Sequence, residues 1–133
     1  MMPKPSPRVQ EIWFEGPLPG LNISLGLANQ RYGKTNAYAI KKRTLQKALV
    51  AQIEECSLVK MEKVTIDFIW HEPNRRRDPD NIISAKKYIL DALVHARILS
   101  GDGWRWIKGL SDEWKIDEMK NGVNVIIRRS YDE

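Results

Sequence analysis

The sequence predicts an α+β fold, a small mixed β-sheet with two main helices packed on it. Three observations carry that expectation. Residues 63–70, KVTIDFIW, alternate apolar and polar side chains with period two, as a half-buried strand does. Residues 37–57 and 80–97 place their apolar side chains at helical spacing. The pattern along the chain reads strand, helix, strand, helix, strand, strand, with no internal repeat and no low-complexity segment.

Taken in order, residues 1–10 hold three prolines and no periodicity, and are expected to form a flexible arm ahead of a single domain over 11–133. EIWFEG reads as a short strand and PLPG behind it as a turn. The segment 21–36 is ambiguous: LNISLGL can form another strand, whereas NQRYGKTN reads as a polar loop whose last residue, Asn36, can cap a helix. That helix gathers Tyr38, Leu45, Leu49 and Cys56 near one face, with Lys41, Lys42 and Arg43 around the rest. In the next strand Val64, Ile66, Phe68 and Trp70 share one side. Pro79 biases Asp78 toward extended backbone, so RDPD is expected to be extended and Asp80 to cap a helix running to about Arg97. On a wheel that helix sets Ile82, Ile83, Ile89, Leu90, Leu93 and Val94 on one side. Asn121-Gly122, a preferred two-residue hairpin pair, is expected to join EWKIDEMK to VNVIIRRS.

A chain of 133 residues, 42% hydrophobic and 29% charged, has enough apolar material for one core. No apolar run is long enough to span a membrane and nothing resembles a secretory signal, so the expected compartment is the cytoplasm. Cys56 is the sole cysteine, which excludes an intramolecular disulfide and a cysteine-based zinc cluster. It is expected to be a small buried apolar residue. His71 and His95 are too scattered to form a metal pair, so any metal would be held mainly by carboxylates. The net charge of +5 is mild, but its distribution is uneven. Arg31, Lys34, Lys41, Lys42, Arg43 and Lys47 follow one another without an acid, and Arg75, Arg76 and Arg77 form a second basic focus. Such clusters suit a polyanion, because each neutralised phosphate releases counterions. A solvated helix face is the competing explanation.

Beside the apolar stripe of the second helix lies a polar row of Asp80, Ser84, Lys87 and Asp91, at spacings of four, three and four. Asp78 and Asp80, two apart in an extended segment, would point the same way with Cα atoms about 7 Å apart. Carboxylates so placed repel unless a cation lies between them. Mg²⁺ fits, being oxygen-seeking and commonly held by one or two carboxylates plus water and substrate phosphate. Asp102, in SGDGW between two glycines, is a candidate third carboxylate. Metal-held aspartates beside a lysine are the parts of a site that hydrolyses phosphodiesters.

RRRDPDN, then a helix carrying KYILDAL, then GDGW together resemble the RusA family of Holliday junction resolvases over about residues 68–104. The resemblance implies a homodimeric endodeoxyribonuclease that uses Mg²⁺ or Mn²⁺, needs no small-molecule cofactor, and nicks two strands of a branched DNA, the four-way junction, symmetrically. It implies metal-binding roles for Asp78, Asp80 and Asp102, a catalytic role for Lys87, and supporting roles for Asn81 and Asp91. Relative to the family, the interval between the aspartate pair and LDAL is about one helical turn longer. Counting back from Asp91 gives Lys87, whereas counting forward from Asp80 gives Ser84. Lys86 is a third choice, but the wheel sets it within the apolar stripe, and Lys87 is preferred. Where the family often has paired aspartates, this chain has Gly101-Asp102, so one acidic group is missing or replaced by Asp112. Trp104 and Trp106 are candidates for stacking on exposed bases or for packing. A branched-DNA-binding module without catalysis is the alternative function.

Overall fold

The computed structural model describes residues 7–20, 31–32 and 35–131, with the side chains of residues 31, 32, 35, 36 and 38 left out of the description. The elements are β1 (Val9–Glu15), β2 (Arg31–Tyr32), β3 (Thr35–Asn36), α1 (Ala37–Glu55), β4 (Val64–Glu72), α2 (Pro79–Ile83), α3 (Lys86–His95), β5 (Ile107–Ile116) and β6 (Gly122–Arg129). The fold is α+β, as expected. Four strands form one mixed sheet in the order β1-β6-β4-β5, and β2 pairs with β3 in a separate two-stranded ladder. That ladder occupies the end of the segment expected to be a polar loop. LNISLGL and Lys34 lie outside the described residues.

Alternation in β4 does what period two requires. Val64, Ile66, Phe68 and Trp70 are all buried on one face. Antiparallel register sets Trp70 opposite Val123 and Phe68 opposite Val125 of β6, and β1 continues the same rows with Phe14 and Ile12. Leu49 and Ile53 of α1 and Ile89, Leu90 and Leu93 of α3 complete this single core. At about 25 cal/mol per Å² of apolar surface, each fully buried side chain of this size stabilises by roughly 1.5–3 kcal/mol. In α1 the buried positions are Ala37, Leu49 and Ile53, whereas Cys56 is exposed. The helix ends at Glu55, and Cys56 has already turned away with it. β1 takes in Val9 and Gln10, so the ordered strand begins ahead of the boundary expected at residue 11, and residues 1–6 of the expected arm lie outside the described residues.

The last two strands do not form the expected hairpin. β5 runs parallel to β4 on one side, while β6 lies antiparallel to β4 on the other. Side-chain character explains the choice: Val123, Val125 and Ile127 of β6 are buried, as an interior strand demands, and β5, with Lys108, Asp112, Glu113 and Lys115, suits an edge. Gly122 opens β6 instead of closing a turn. A Cβ there would run into the Phe14 carbonyl oxygen and the Trp13 ring. Gly122→Ala is therefore expected to destabilise by about 1–3 kcal/mol, read as a lower urea midpoint at unchanged slope.

The helical pattern over 80–97 is broken in two. α2 begins at Pro79, so Asp78 takes the N-cap position, with extended backbone at φ −72° and ψ 152°, and Asp80 falls in the first turn. Proline favours this start because its missing N–H is an orphan there and its φ is already helical. Ser84 and Ala85 then separate α2 from α3. The Ser84 hydroxyl donates to the Asn81 carbonyl at 2.6 Å, and the Ala85 amide reaches back three residues to Ile82. α3 ends at His95 rather than Arg97. Arg97 takes a left-handed φ of 65°, with amides of Arg97 and Ile98 donating to the carbonyls of Val94 and Leu93, a Schellman termination in arginine's rather than glycine's hands.

Candidate functional site

Breaking the helix at Ser84 and Ala85 changes the phase of every side chain after it. Lys87 projects to solvent, and its ammonium lies 3.0 Å from Asp91 and 2.6 Å from Asp102. The first contact is the helical i,i+4 pair foreseen in the polar row. The second joins α3 to the turn before β5, bringing Asp102 to a helical pair that precedes it by more than ten residues. Asp102 holds the Lys87 ammonium above the usual lysine range, with Asp91 adding to the effect, and Lys87 holds the Asp102 carboxyl below its own. Lys87 is thus a fixed positive charge at neutral pH and has no lone pair with which to act as a base.

Lys86 has a different environment. Its ammonium donates to Asp112 at 2.6 Å and lies 5.1 Å from the centroid of the Phe68 ring. Asp112, opposite Phe68 in the parallel register, also accepts the Trp70 indole N–H at 2.9 Å. Both side chains are only 17% exposed. The wheel's placement of Lys86 in the apolar stripe was a sign of this buried pair, which links the edge strand to α3.

Asp78 and Asp80 are both exposed. Among the described residues neither forms an ion pair; Asp78 makes no side-chain cap, and Asp80 accepts the Asn81 amide at 2.9 Å. Because Pro79 and Asp80 are already helical, the pair does not have the flat spacing expected of an extended segment. Nor does Asp102 join it. Among the described residues no three His, Cys, Asp or Glu side chains converge in a group fit to hold a metal ion. Asp78 and Asp80 on their own match the donor chemistry of Mg²⁺, which one or two carboxylates plus water and phosphate suffice to hold. At the turn, Gly101 has no room for the acid seen in the RusA family, since a Cβ there would stand 2.7 Å from the Trp106 ring. Trp106 is half-buried with its ring against Gly101, and Trp104 stands almost wholly in solvent, at 94% exposure.

The basic residues divide. Arg75 and Arg76 are exposed on the loop after β4. Arg77 instead turns inward, its Nε and Nη2 donating to the two carboxylate oxygens of Glu72 at 3.0 Å each and its Nη1 to the Leu18 carbonyl at 2.9 Å. Sequence reasoning missed this pair. The available signal was parity, because Glu72 continues the buried row 64, 66, 68, 70 and an acid there needs a partner. On α1, Lys41 and Arg43 are exposed and Lys42 is half-buried. Lys42 and Gln46 of α1 face Lys87, Asp91, Val94 and His95 of α3 across a cleft of about 380 Å³ that also reaches Asp102. A neighbouring cleft, again sharing Gln46 and His95, takes in Arg43 and Lys47. The side chain of Arg31 and all of Lys34 fall outside the described residues.

His71 is buried, its Nε2 2.9 Å from the Asn124 side-chain oxygen and its ring edge-on to Trp13, as a structural histidine would be. No helix among the described residues is long and apolar enough to cross a membrane. No protein-family model and no curated protein matches the chain.

Proposed function

We propose that the protein is a Mg²⁺-dependent, structure-selective endonuclease acting on four-way DNA junctions as a homodimer, as the RusA resemblance implies. The observation that carries this reading is the cleft between α1 and α3, where Lys42 of the basic helix, Lys87 and Asp102 line one space. It puts a cation from the predicted polyanion-binding set beside two residues of the predicted catalytic set. In this reading, Lys41, Lys42, Arg43, Arg75 and Arg76 neutralise backbone phosphates and hold the duplex arms. Asp78 and Asp80 would hold the metal, which supplies an activated water and polarises the scissile phosphate when bound. Lys87, kept charged by Asp91 and Asp102, offsets negative charge gathering on the phosphate oxygens. Asp102 acts through Lys87 and positions it.

One finding favours the second reading, a branched-DNA-binding module without catalysis. Asp102 is engaged by Lys87 and does not converge with Asp78 and Asp80. Incubating purified protein with a labelled four-way junction, with and without Mg²⁺, separates the two. Paired nicks that need Mg²⁺ support the nuclease; junction retention without cutting at any Mg²⁺ or Mn²⁺ concentration supports the module. Linear duplex of the same sequence measures junction preference.

Both readings share an electrostatic expectation. Replacing Arg75 and Arg76 together by alanine should weaken junction binding and make the slope of log K against log salt shallower by about 1.8, at about 0.9 per lost phosphate contact. An unchanged slope in a salt titration would return these arginines to a merely solvated role.

A further inference from the structure

The apolar rows of the core do not stop where the helices stop covering them. The row Phe14, Val123, Trp70 runs on to Trp114 of β5, and the row Ile127, Ile66 runs on to Leu110. At β5 they meet solvent: Leu110, Trp114 and Ile116 are 45%, 40% and 42% exposed, and no β5 side chain is fully buried. β5 is also the outermost strand on its side of the sheet, ten residues long and without proline. Among the described residues nothing pairs with its outer edge. A long edge with unpaired backbone groups and protruding apolar side chains is a template for another strand.

We propose that the C-terminal half of this edge, residues 112–116, receives the same segment of a second copy of the chain, with the two β5 strands antiparallel about a two-fold axis at Trp114, so that the two sheets continue as one. The inference deepens the two-fold assembly of the proposed function and rests on that part of it. Charge selects the partner and the register. When identical strands pair antiparallel about a two-fold axis perpendicular to the sheet, the central residue faces itself. Centring on Asp112, Glu113 or Lys115 would set like charges face to face, which destabilises a pair, and centring on Leu110 or Ser111 would leave Glu113 and Lys115 each without an opposite charge. Centring on Trp114 sets the two indole rings together and places Glu113 of each copy opposite Lys115 of the other, twice over by symmetry. Glu113 and Lys115 are exposed, and among the described residues neither has an ion-pair partner within the chain. Asp112 would face Ile116, but its two oxygens are already taken by Lys86 and Trp70.

Sedimentation equilibrium of the full chain at micromolar concentration, with and without four-way junction DNA, gives the first reading, and a dimer is expected. Glu113→Lys should raise the dimer dissociation constant at least about ten-fold, and adding Lys115→Glu to the same chain should restore it. In a Cys56→Ser background, Trp114→Cys should form an intermolecular disulfide under mild oxidation, whereas Leu110→Cys should not. A dimer indifferent to the charge swap and without the Trp114→Cys cross-link would overturn the β5 interface and leave two-fold assembly standing on another face. A strict monomer under both conditions would overturn both.

Discussion

Asp80→Asn is expected to abolish metal-dependent junction cleavage, by at least about 10²-fold or about 2.7 kcal/mol of barrier, while junction binding stays intact or tightens. The substitution changes charge and little else. Asp80 is exposed in the first turn of α2, and the hydrogen bond it makes among the described residues, accepted from the Asn81 amide, can be accepted equally by an asparagine oxygen. A loss of cutting would therefore not reflect a lost helix start. Removing a negative charge near the bound backbone also lessens repulsion toward phosphate, which is why binding should hold or improve. The two measurements, nicked product per unit time and junction retention in a gel, separate chemistry from binding. A variant that cuts at the normal rate would remove Asp80 from the site. A variant that loses binding as fast as cutting would make Asp80 a part of the DNA contact.

Much of the fold was legible because it rests on local periodicity. The alternation of 64, 66, 68 and 70 could be satisfied only by burying one face, and that face is buried in full. What could not be read is where two local signals compete. Asn121-Gly122 is a strong hairpin signal, yet the apolar character of Val123, Val125 and Ile127 takes β6 to the interior of the sheet, and Gly122 is needed there for close approach to β1. Pro79 biases the residue before it toward extended backbone, which made Asp80 the expected cap, but proline's fixed φ suits the first helical position itself and sets Asp78 ahead of the helix. The candidate site was legible in part for the same reason. Lys87 and Asp91 meet through helical spacing alone, and Asp102 reaches them across a turn that sequence separation conceals. The break at Ser84 and Ala85 defeated any single wheel, so Lys86 looked misplaced until Asp112 and the Phe68 ring were seen to hold it. Gly101, which read as a lost acid, is instead the space that the Trp106 ring fills.

Arg77→Ala is expected to cost roughly 3 kcal/mol of folding stability, because it leaves a carboxylate in the core's margin without its partner. The Glu72 side chain is only 8% exposed, against 23% for Arg77, which places the effect at the lower end of what breaking a buried pair costs. Two features set this arginine apart from its neighbours. Its guanidinium meets both Glu72 oxygens in the forked geometry that a lysine could not reproduce, and its remaining arm satisfies the Leu18 carbonyl beyond β1. Pinning residue 77 to the end of β4 also fixes where the chain stands as it enters Asp78, so the pair would position the candidate metal site without touching DNA. The test is a urea transition together with a salt titration of junction binding. Loss of stability at an unchanged salt slope supports the anchoring role, and the double variant Glu72→Leu with Arg77→Met should recover most of the loss, since no unpaired charge remains buried. Unchanged stability with a slope shallower by about 0.9 would instead make Arg77 a phosphate contact like Arg75 and Arg76.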